Sequence, residues 1–289
     1  MNGELHRPEH PVRFVTAASL FDGHDAAINI MRRLLQSQGA EVVHLGHNRS
    51  VDDVVTAAVQ EDVQGVAVSS YQGGHVEYFK YLVDRLREEG RGDVKVYGGG
   101  GGTIVSAEVA ELHDYGVARI FTPHDGQELG LAAMVNLMIA ACDHPLDAPG
   151  AADVERLLAG DQRVLARTIT AAEDERLPPQ VGEALIQARS VPVLGITGTG
   201  GSGKSSLTDE LVGRFRMDQE DKLRVAVLAV DPTRRKGGGA LLGDRIRMNS
   251  VDPDSLSTGR VYFRSMATRR AASELPDSLD EAIAACKAA

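Results

Sequence analysis

Cysteine is scarce in this sequence: two residues in 289, at positions 142 and 286. So wide a separation gives no Cys-x-x-Cys pair and no disulfide framework. It fits reduced thiols on or near helices in a cytosolic protein. Basic charge is also short, with 31 Lys and Arg against 41 Asp and Glu and a net of −10. General nucleic-acid-binding surfaces are basic, which sets nucleic acid aside as a partner. No apolar run approaches the roughly 18 residues that a membrane span needs. Residues 1–11 are polar and lack the apolar core of a signal peptide. Internal repeats and low-complexity tracts are missing too. The expectation is a cytoplasmic protein with no membrane or nucleic-acid partner, long enough for two domains at roughly 100–200 residues each.

The first half turns on Leu20-Phe21-Asp22-Gly23-His24-Asp25-Ala26-Ala27. An apolar run from Phe14 to Ala18 precedes it, and Ala27, Ile30, Met31, Leu34 and Leu35 follow at helical spacing. His24 is thereby expected at the carboxyl end of a first strand, where open α/β sheets bind ligands. Asp22 can hydrogen-bond one imidazole nitrogen and leave the other to ligate a metal. The plainer alternative makes His24 a loop residue and Asp22 and Asp25 helix caps. Downstream, apolar stretches at 41–45, 63–68, 94–97 and 117–121 read as strands. Helical patterns at 51–62, 78–89, 106–115 and 127–141 separate or follow them. This alternation predicts parallel βαβ units with right-handed crossovers. Five strands predict a flavodoxin-like doubly wound sheet. Gly98 to Gly102 remove every Cβ just past the fourth strand, so backbone can approach a bulky planar ligand closely or take positive φ. Ser69 and Ser70 end the third strand, where a hydroxyl either bonds a buried ligand tail or faces water in a turn. His75 and His124 are expected at the rim, with no metal role.

Asp22-x-His24, then Ser69-Ser70-Tyr71-Gln72-Gly73-Gly74-His75, then Gly98 to Gly102 together resemble the cobalamin-binding domain of coenzyme-B12-dependent acyl-CoA mutases. The resemblance covers residues 12–141. The family's Asp-x-His-x-x-Gly ends here in Ala27, and its Ser-x-Leu reads Ser69-Ser70-Tyr71. Both variants are similar to those of the fused isobutyryl-CoA mutases. The resemblance implies adenosylcobalamin as cofactor and His24 as the lower axial ligand to cobalt, oriented by Asp22. It also implies a slot for the cofactor's nucleotide tail. The implied cofactor-binding residues are Asp22, Gly23, His24, Asp25, Ser69, Tyr71, Gly73, Gly74, Gly98, Gly99, Gly100 and Gly101.

Residues 143–190 change character. Pro145, Pro149 and Gly150 open the segment and Pro178-Pro179 interrupts it. This predicts an interdomain linker with short helices over 152–158 and 162–172. Val191 to Thr197 then predicts a strand leading into Gly198-Thr199-Gly200-Gly201-Ser202-Gly203-Lys204-Ser205, with a helix from Ser206. Strand, loop and helix are the context that a G-x-x-x-x-G-K-[ST] phosphate loop requires. Its glycines let backbone N–H groups face phosphates; Lys204 meets the β and γ phosphates, and Ser205 holds Mg²⁺. The nucleotide-binding set is Gly198, Gly200, Gly201, Ser202, Gly203, Lys204, Ser205 and Ser206.

Arg224 to Val230 predicts the next strand, followed by Asp231-Pro232, Gly237-Gly238-Gly239 and Leu242-Gly243-Asp244-Arg245-Ile246-Arg247-Met248. This half is similar to the G-protein chaperones that accompany B12-dependent mutases. That implies GTP as the nucleotide, with Asp231 and Asp244 beside Ser205 in the Mg²⁺ shell or a switch segment. Arg234, Arg235 and Lys236 either meet a phosphate or face water. No Asn-Lys-x-Asp-like stretch that would read guanine is present, nor the roughly 250 residues of a substrate-binding (β/α)8 barrel.

The expected organisation is a cobalamin-binding domain over 1–142, a helical linker over 143–190 and a P-loop GTPase domain over 191–289, incomplete at its C-terminus. The two resemblances identify the N-terminal part of a fused isobutyryl-CoA mutase, truncated relative to that family. They imply a parent protein that rearranges isobutyryl-CoA to n-butyryl-CoA by radical chemistry and hydrolyses GTP. Acyl-CoA would bind only through the absent barrel, and no catalytic residue is assigned within this stretch. A homodimeric full-length protein and an adenosyltransferase partner are implied as well. The rival is a stand-alone cobalamin carrier or chaperone that binds cofactor and nucleotide without isomerase activity. A phospho-receiver domain is set aside because Ser69-Ser70 stand where a phosphorylatable Asp is needed.

Overall fold

Residues 5–233, 239–251, 255–269 and 274–289 are described by the structure, a computed structural model of the chain. Two units are present. Residues 1–59, 63–145 and 232–243 make the first, and residues 60–62, 146–231 and 244–289 the second. The first half of the chain runs β1 (Arg13–Ser19), α1 (Ala26–Ser37), β2 (Glu41–Arg49), α2 (Val51–Gln60), β3 (Gly65–Ser69), α3 (His75–Glu88), β4 (Lys95–Gly99), α4 (Ser106–Tyr115), β5 (Arg119–Phe121), α5 (Pro123–Glu128) and α6 (Leu131–Cys142). The second half runs α7 (Val154–Ala159), α8 (Gln162–Glu173), α9 (Pro179–Ile186), α10 (Lys204–Asp218), β6 (Val225–Asp231), β7 (Ala240–Leu242), α11 (Ser255–Thr258), β8 (Val261–Ala267) and α12 (Leu279–Ala288).

The first unit is a parallel sheet in the order β5-β4-β3-β1-β2, the flavodoxin-like order that the alternation predicts. Central β1 is buried along its whole length, as a strand covered on both faces must be. Phe14, Ala18, Val42 and Ala67 pack against Leu35 of α1 and against Met138 and Ile139 of α6. Phe79 of α3 lies on β4 at Gly98, where a Cβ would come 2.5 Å from the ring. A sixth strand was not predicted: β7 pairs parallel to β2, from Glu41 opposite Ala240 to Val43 opposite Leu242. The helix expected over 127–141 is two helices. Thr122 and Asp125 cap each other with Pro123 in the first turn, which starts α5 early. Gly130, at φ 75, then separates it from α6.

In the second unit, β6 and β8 pair in parallel, and alternate residues face opposite sides. Val225, Val227, Val261 and Phe263 pack with Val212 of α10. Leu228, Val230, Tyr262 and Met266 meet Ile169 of α8, Leu185 of α9 and Ala282 of α12. The stretch 191–197 is not a strand. It is irregular, with Val193 58% and Leu194 75% exposed. Pro192 has no N–H to give to a ladder, and an apolar alternation becomes a strand only where an edge accepts its backbone groups. The following helix starts at Lys204 rather than Ser206, because Gly203 turns into it at φ 85. Arg234, Arg235, Lys236, Gly237 and Gly238 lie outside the described residues. Among the described residues, no helix is long and apolar enough to cross a membrane.

Candidate cofactor and nucleotide sites

The carboxyl ends of neighbouring strands β1 and β3 form the switch point of the sheet. There Ser19 Oγ donates to Ser70 Oγ at 2.8 Å. Asp22 follows, buried. Its Oδ1 accepts the His24 backbone N–H at 2.8 Å and faces His24 Nδ1 at 2.9 Å. Its Oδ2 accepts the Tyr71 N–H at 2.6 Å. Burial by itself opposes ionisation of Asp22. The bonds from Tyr71 and His24 outweigh it and hold the carboxyl below its ordinary range. A carboxylate partner keeps the proton on Nδ1 and leaves the Nε2 lone pair open, on a side chain that is 76% exposed. The Tyr71 ring sits 5.8 Å from the His24 ring. Asp25 occupies the N-cap position of α1 without a side-chain cap bond.

Ser69 Oγ is buried with no hydrogen-bond partner among the described residues. Such an orphan calls for a polar group from a ligand. Gly73 and Gly74 border open space. Gly100 has a reason within the protein: a Cβ there would lie 1.9 Å from the Ser70 carbonyl oxygen, where Ser70 N–H donates to Gly99 O at 2.8 Å. Among the described residues, no cluster of three or more His, Cys, Asp and Glu is placed to hold a metal. A lone, carboxylate-backed imidazole is the donor set that suits a metal arriving inside its own macrocycle. The residues present therefore fit cobalamin. His75, expected at the rim, is buried and bonds Glu108 Oε2 through Nε2 at 3.0 Å; His124 is exposed beside Glu128. Ser19, Asn48 and Glu108 belong to none of the sequence motifs. Only Asn48 carried a signal, since Asn adopts left-handed backbone more readily than most residues.

Residues 198–203 form an exposed loop that ends at the N-terminus of α10, where free N–H groups and the helix dipole favour an anion. Lys204 Nζ donates to the carbonyls of Gly198 at 2.7 Å and Thr199 at 3.0 Å, which folds the ammonium over the loop. Ser205 Oγ donates to Asp244 Oδ1 at 2.8 Å. The structure thus brings together two oxygen donors of the hard kind that Mg²⁺ prefers. Asp231 ends β6, and its carbonyl accepts the Thr268 N–H at 3.2 Å.

Residues 12–126 match the family described as B12 binding domain, and residues 165–289 match Methylmalonyl Co-A mutase-associated GTPase MeaB. With the fold, the two matches give an α/β cobalamin-binding domain followed by a P-loop GTPase domain. The chain is 65% identical to a fused isobutyryl-CoA mutase of Nocardia farcinica (strain IFM 10152), over 99% of this chain and 26% of that protein. It is 60% identical to the fused isobutyryl-CoA mutase of Cupriavidus metallidurans, over 98% and 26%. The 2-hydroxyisobutanoyl-CoA mutase small subunit of Aquincola tertiaricarbonis is 32% identical, over 38% of this chain and 79% of that one. Nearly the whole chain is thus similar to one part of the fused isobutyryl-CoA mutases. It spans 26% of the length of the first two relatives.

Proposed function

We propose that this stretch is the adenosylcobalamin- and GTP-binding region of an acyl-CoA mutase that interconverts isobutyryl-CoA and n-butyryl-CoA. One observation carries the reading: His24, at the switch point of the sheet, has Nδ1 tied to a buried carboxylate and Nε2 open. His24 Nε2 would ligate cobalt, Asp22 would hold the ring, and Ser69 Oγ with the 98–101 glycines would take the cofactor's tail. Bound adenosylcobalamin supplies the radical chemistry of carbon-skeleton rearrangement. The loop amides of 198–203 and Lys204 would bind the phosphates of GTP, with Ser205, Asp244 and Asp231 around Mg²⁺. The nucleotide half would act as a built-in chaperone governing cofactor loading.

Acyl-CoA would be bound elsewhere in the longer protein, since the sheets among the described residues are open rather than a (β/α)8 barrel. That longer protein would work in the cytoplasm as a homodimer charged by an adenosyltransferase. The test is a visible-absorbance titration with adenosylcobalamin, wild type beside His24→Ala. A base-off, His-on spectrum present in the wild type and lost in the variant supports the reading. No spectral change at saturating protein overturns it.

A further inference from the structure

Between Ser19 and His24 the backbone makes a turn that L-residues resist. Phe21 has φ 63 and Asn48, near the end of β2, has φ 55. Positive φ is uncommon away from glycine and a genuine outlier for a bulky residue such as Phe. The core does not hold Phe21 there, because its ring is 81% exposed. Asn48 does. Its Oδ1 accepts the Phe21 N–H at 2.8 Å, and its own N–H donates to the Asp22 carbonyl at 3.3 Å. The two bonds straddle the junction of Phe21 and Asp22 and close it into a ring. On the other side, the Asp22 N–H donates to Ser19 O at 3.1 Å. Both backbone groups of Asp22 are therefore held, which fixes the direction of a buried carboxylate already committed to Tyr71 and His24.

We propose that Asn48 is a positioning residue for His24: it locks the Phe21–Asp22 turn in its left-handed form and so aims the Asp22 carboxylate at the His24 ring. The proposal rests on the cobalamin reading of the site. Asn suits position 48 on two counts, its tolerance of left-handed backbone and its neutral oxygen acceptor. Asp shares the tolerance and keeps an oxygen acceptor, though a charged one. Ala has neither, and Gly has the first without the second.

The experiment titrates the full chain with adenosylcobalamin, comparing wild type, Asn48→Ala, Asn48→Gly, Asn48→Asp and His24→Ala. It also records the imidazole nitrogen resonances of His24 in each cofactor-free protein. Outer partners of metal-bound histidines are worth about 10–100-fold in metal affinity, and a loss in that range is expected for Asn48→Ala and Asn48→Gly. The His-on band should shrink, and the His24 ring should lose its fixed Nδ1–H form. Asn48→Asp should restore both. A purely structural role would lower the melting temperature without selectively moving the His-on band or the ring resonances. Wild-type spectra, affinity and ring resonances in Asn48→Gly, which takes φ 55 without strain, overturn the proposal even if Asn48→Ala fails to fold. Absence of a His-on spectrum in the wild type defeats the cobalamin reading and with it a cofactor-related role for Asn48. The cofactor-free resonances separate that failure from failure of the clasp alone.

Discussion

Ser205 Oγ donates to Asp244 Oδ1 at 2.8 Å, joining the residue after the phosphate-loop lysine to one in the Leu-Gly-Asp stretch. Removing the carboxylate in Asp244→Ala deletes a charge-assisted bond. Such bonds are worth about 1.5–3 kcal/mol, or roughly 10–100-fold in a dissociation constant. The expected outcome is a loss of that size in GTP affinity with Mg²⁺ present and a much smaller change in its absence. Calorimetric titration with and without Mg²⁺ checks it. Equal losses in both conditions would remove Asp244 from the metal shell.

Asp22→Ala withdraws the acceptor of His24 Nδ1 and, on its other oxygen, the acceptor of the Tyr71 N–H. Adenosylcobalamin should bind about 10–100-fold more weakly, with the His-on absorbance diminished. Asp22→Asn should lie between, because its single amide oxygen can accept on only one of the two sides, His24 or Tyr71, and carries no charge to hold the Nδ1 proton. An Asp22→Ala protein that titrates like the wild type would mean that His24 orients itself.

Arg13 and Glu41 stand opposite each other on β1 and β2, with Arg13 Nε and Nη2 on Glu41 Oε2 at 2.9 and 2.7 Å and both side chains buried. Taking away one member of a buried pair typically costs about 3–5 kcal/mol, while replacing both by apolar residues of similar volume is often neutral. Glu41→Ala should therefore lower the urea midpoint sharply, and the double variant Arg13→Met with Glu41→Leu should recover most of it. A small effect of Glu41→Ala alone would show that water reaches this pair.

The doubly wound sheet was legible because each βα unit carries its own local pattern. The two loops were legible because their chemistry demands particular residues at fixed spacing. What escaped depends on where the chain meets itself. Phe21 finds Asn48 27 residues further along the chain, and β7 is a strand only because β2 has a free edge. The stretch 191–197 misled for the converse reason, since alternation records which side chains are apolar and not whether a neighbouring strand exists. Nothing near His75 in sequence announces Glu108, the partner that holds it away from the rim. The glycines at 98–102 were legible as a special segment. Gly98 and Gly100, however, have reasons in Phe79 and in the Ser70 carbonyl, which no single-residue reading could separate from a ligand's demand.

Asp143, at the end of α6, anchors the N-terminal segment. It accepts the backbone N–H groups of Glu9 and His10, both at 2.9 Å, and faces the rings of His10 at 3.0 Å and His6 at 2.7 Å. Burial by itself would raise its pKa, but these four bonds outweigh it and hold the carboxyl at about 2. An unfolded aspartate titrates near about 3.9, so the folded form binds its proton later. The resulting stabilisation is complete above about pH 4 and is lost as pH falls toward about 2, with a slope of at most one proton. Asp143→Asn removes the titration. Across that window the wild type should lose stability more steeply than the variant, and the two curves should run parallel above it. Urea midpoints measured through the window decide the matter. Identical acid slopes would mean that the segment from His6 to His10 is held by contacts other than Asp143.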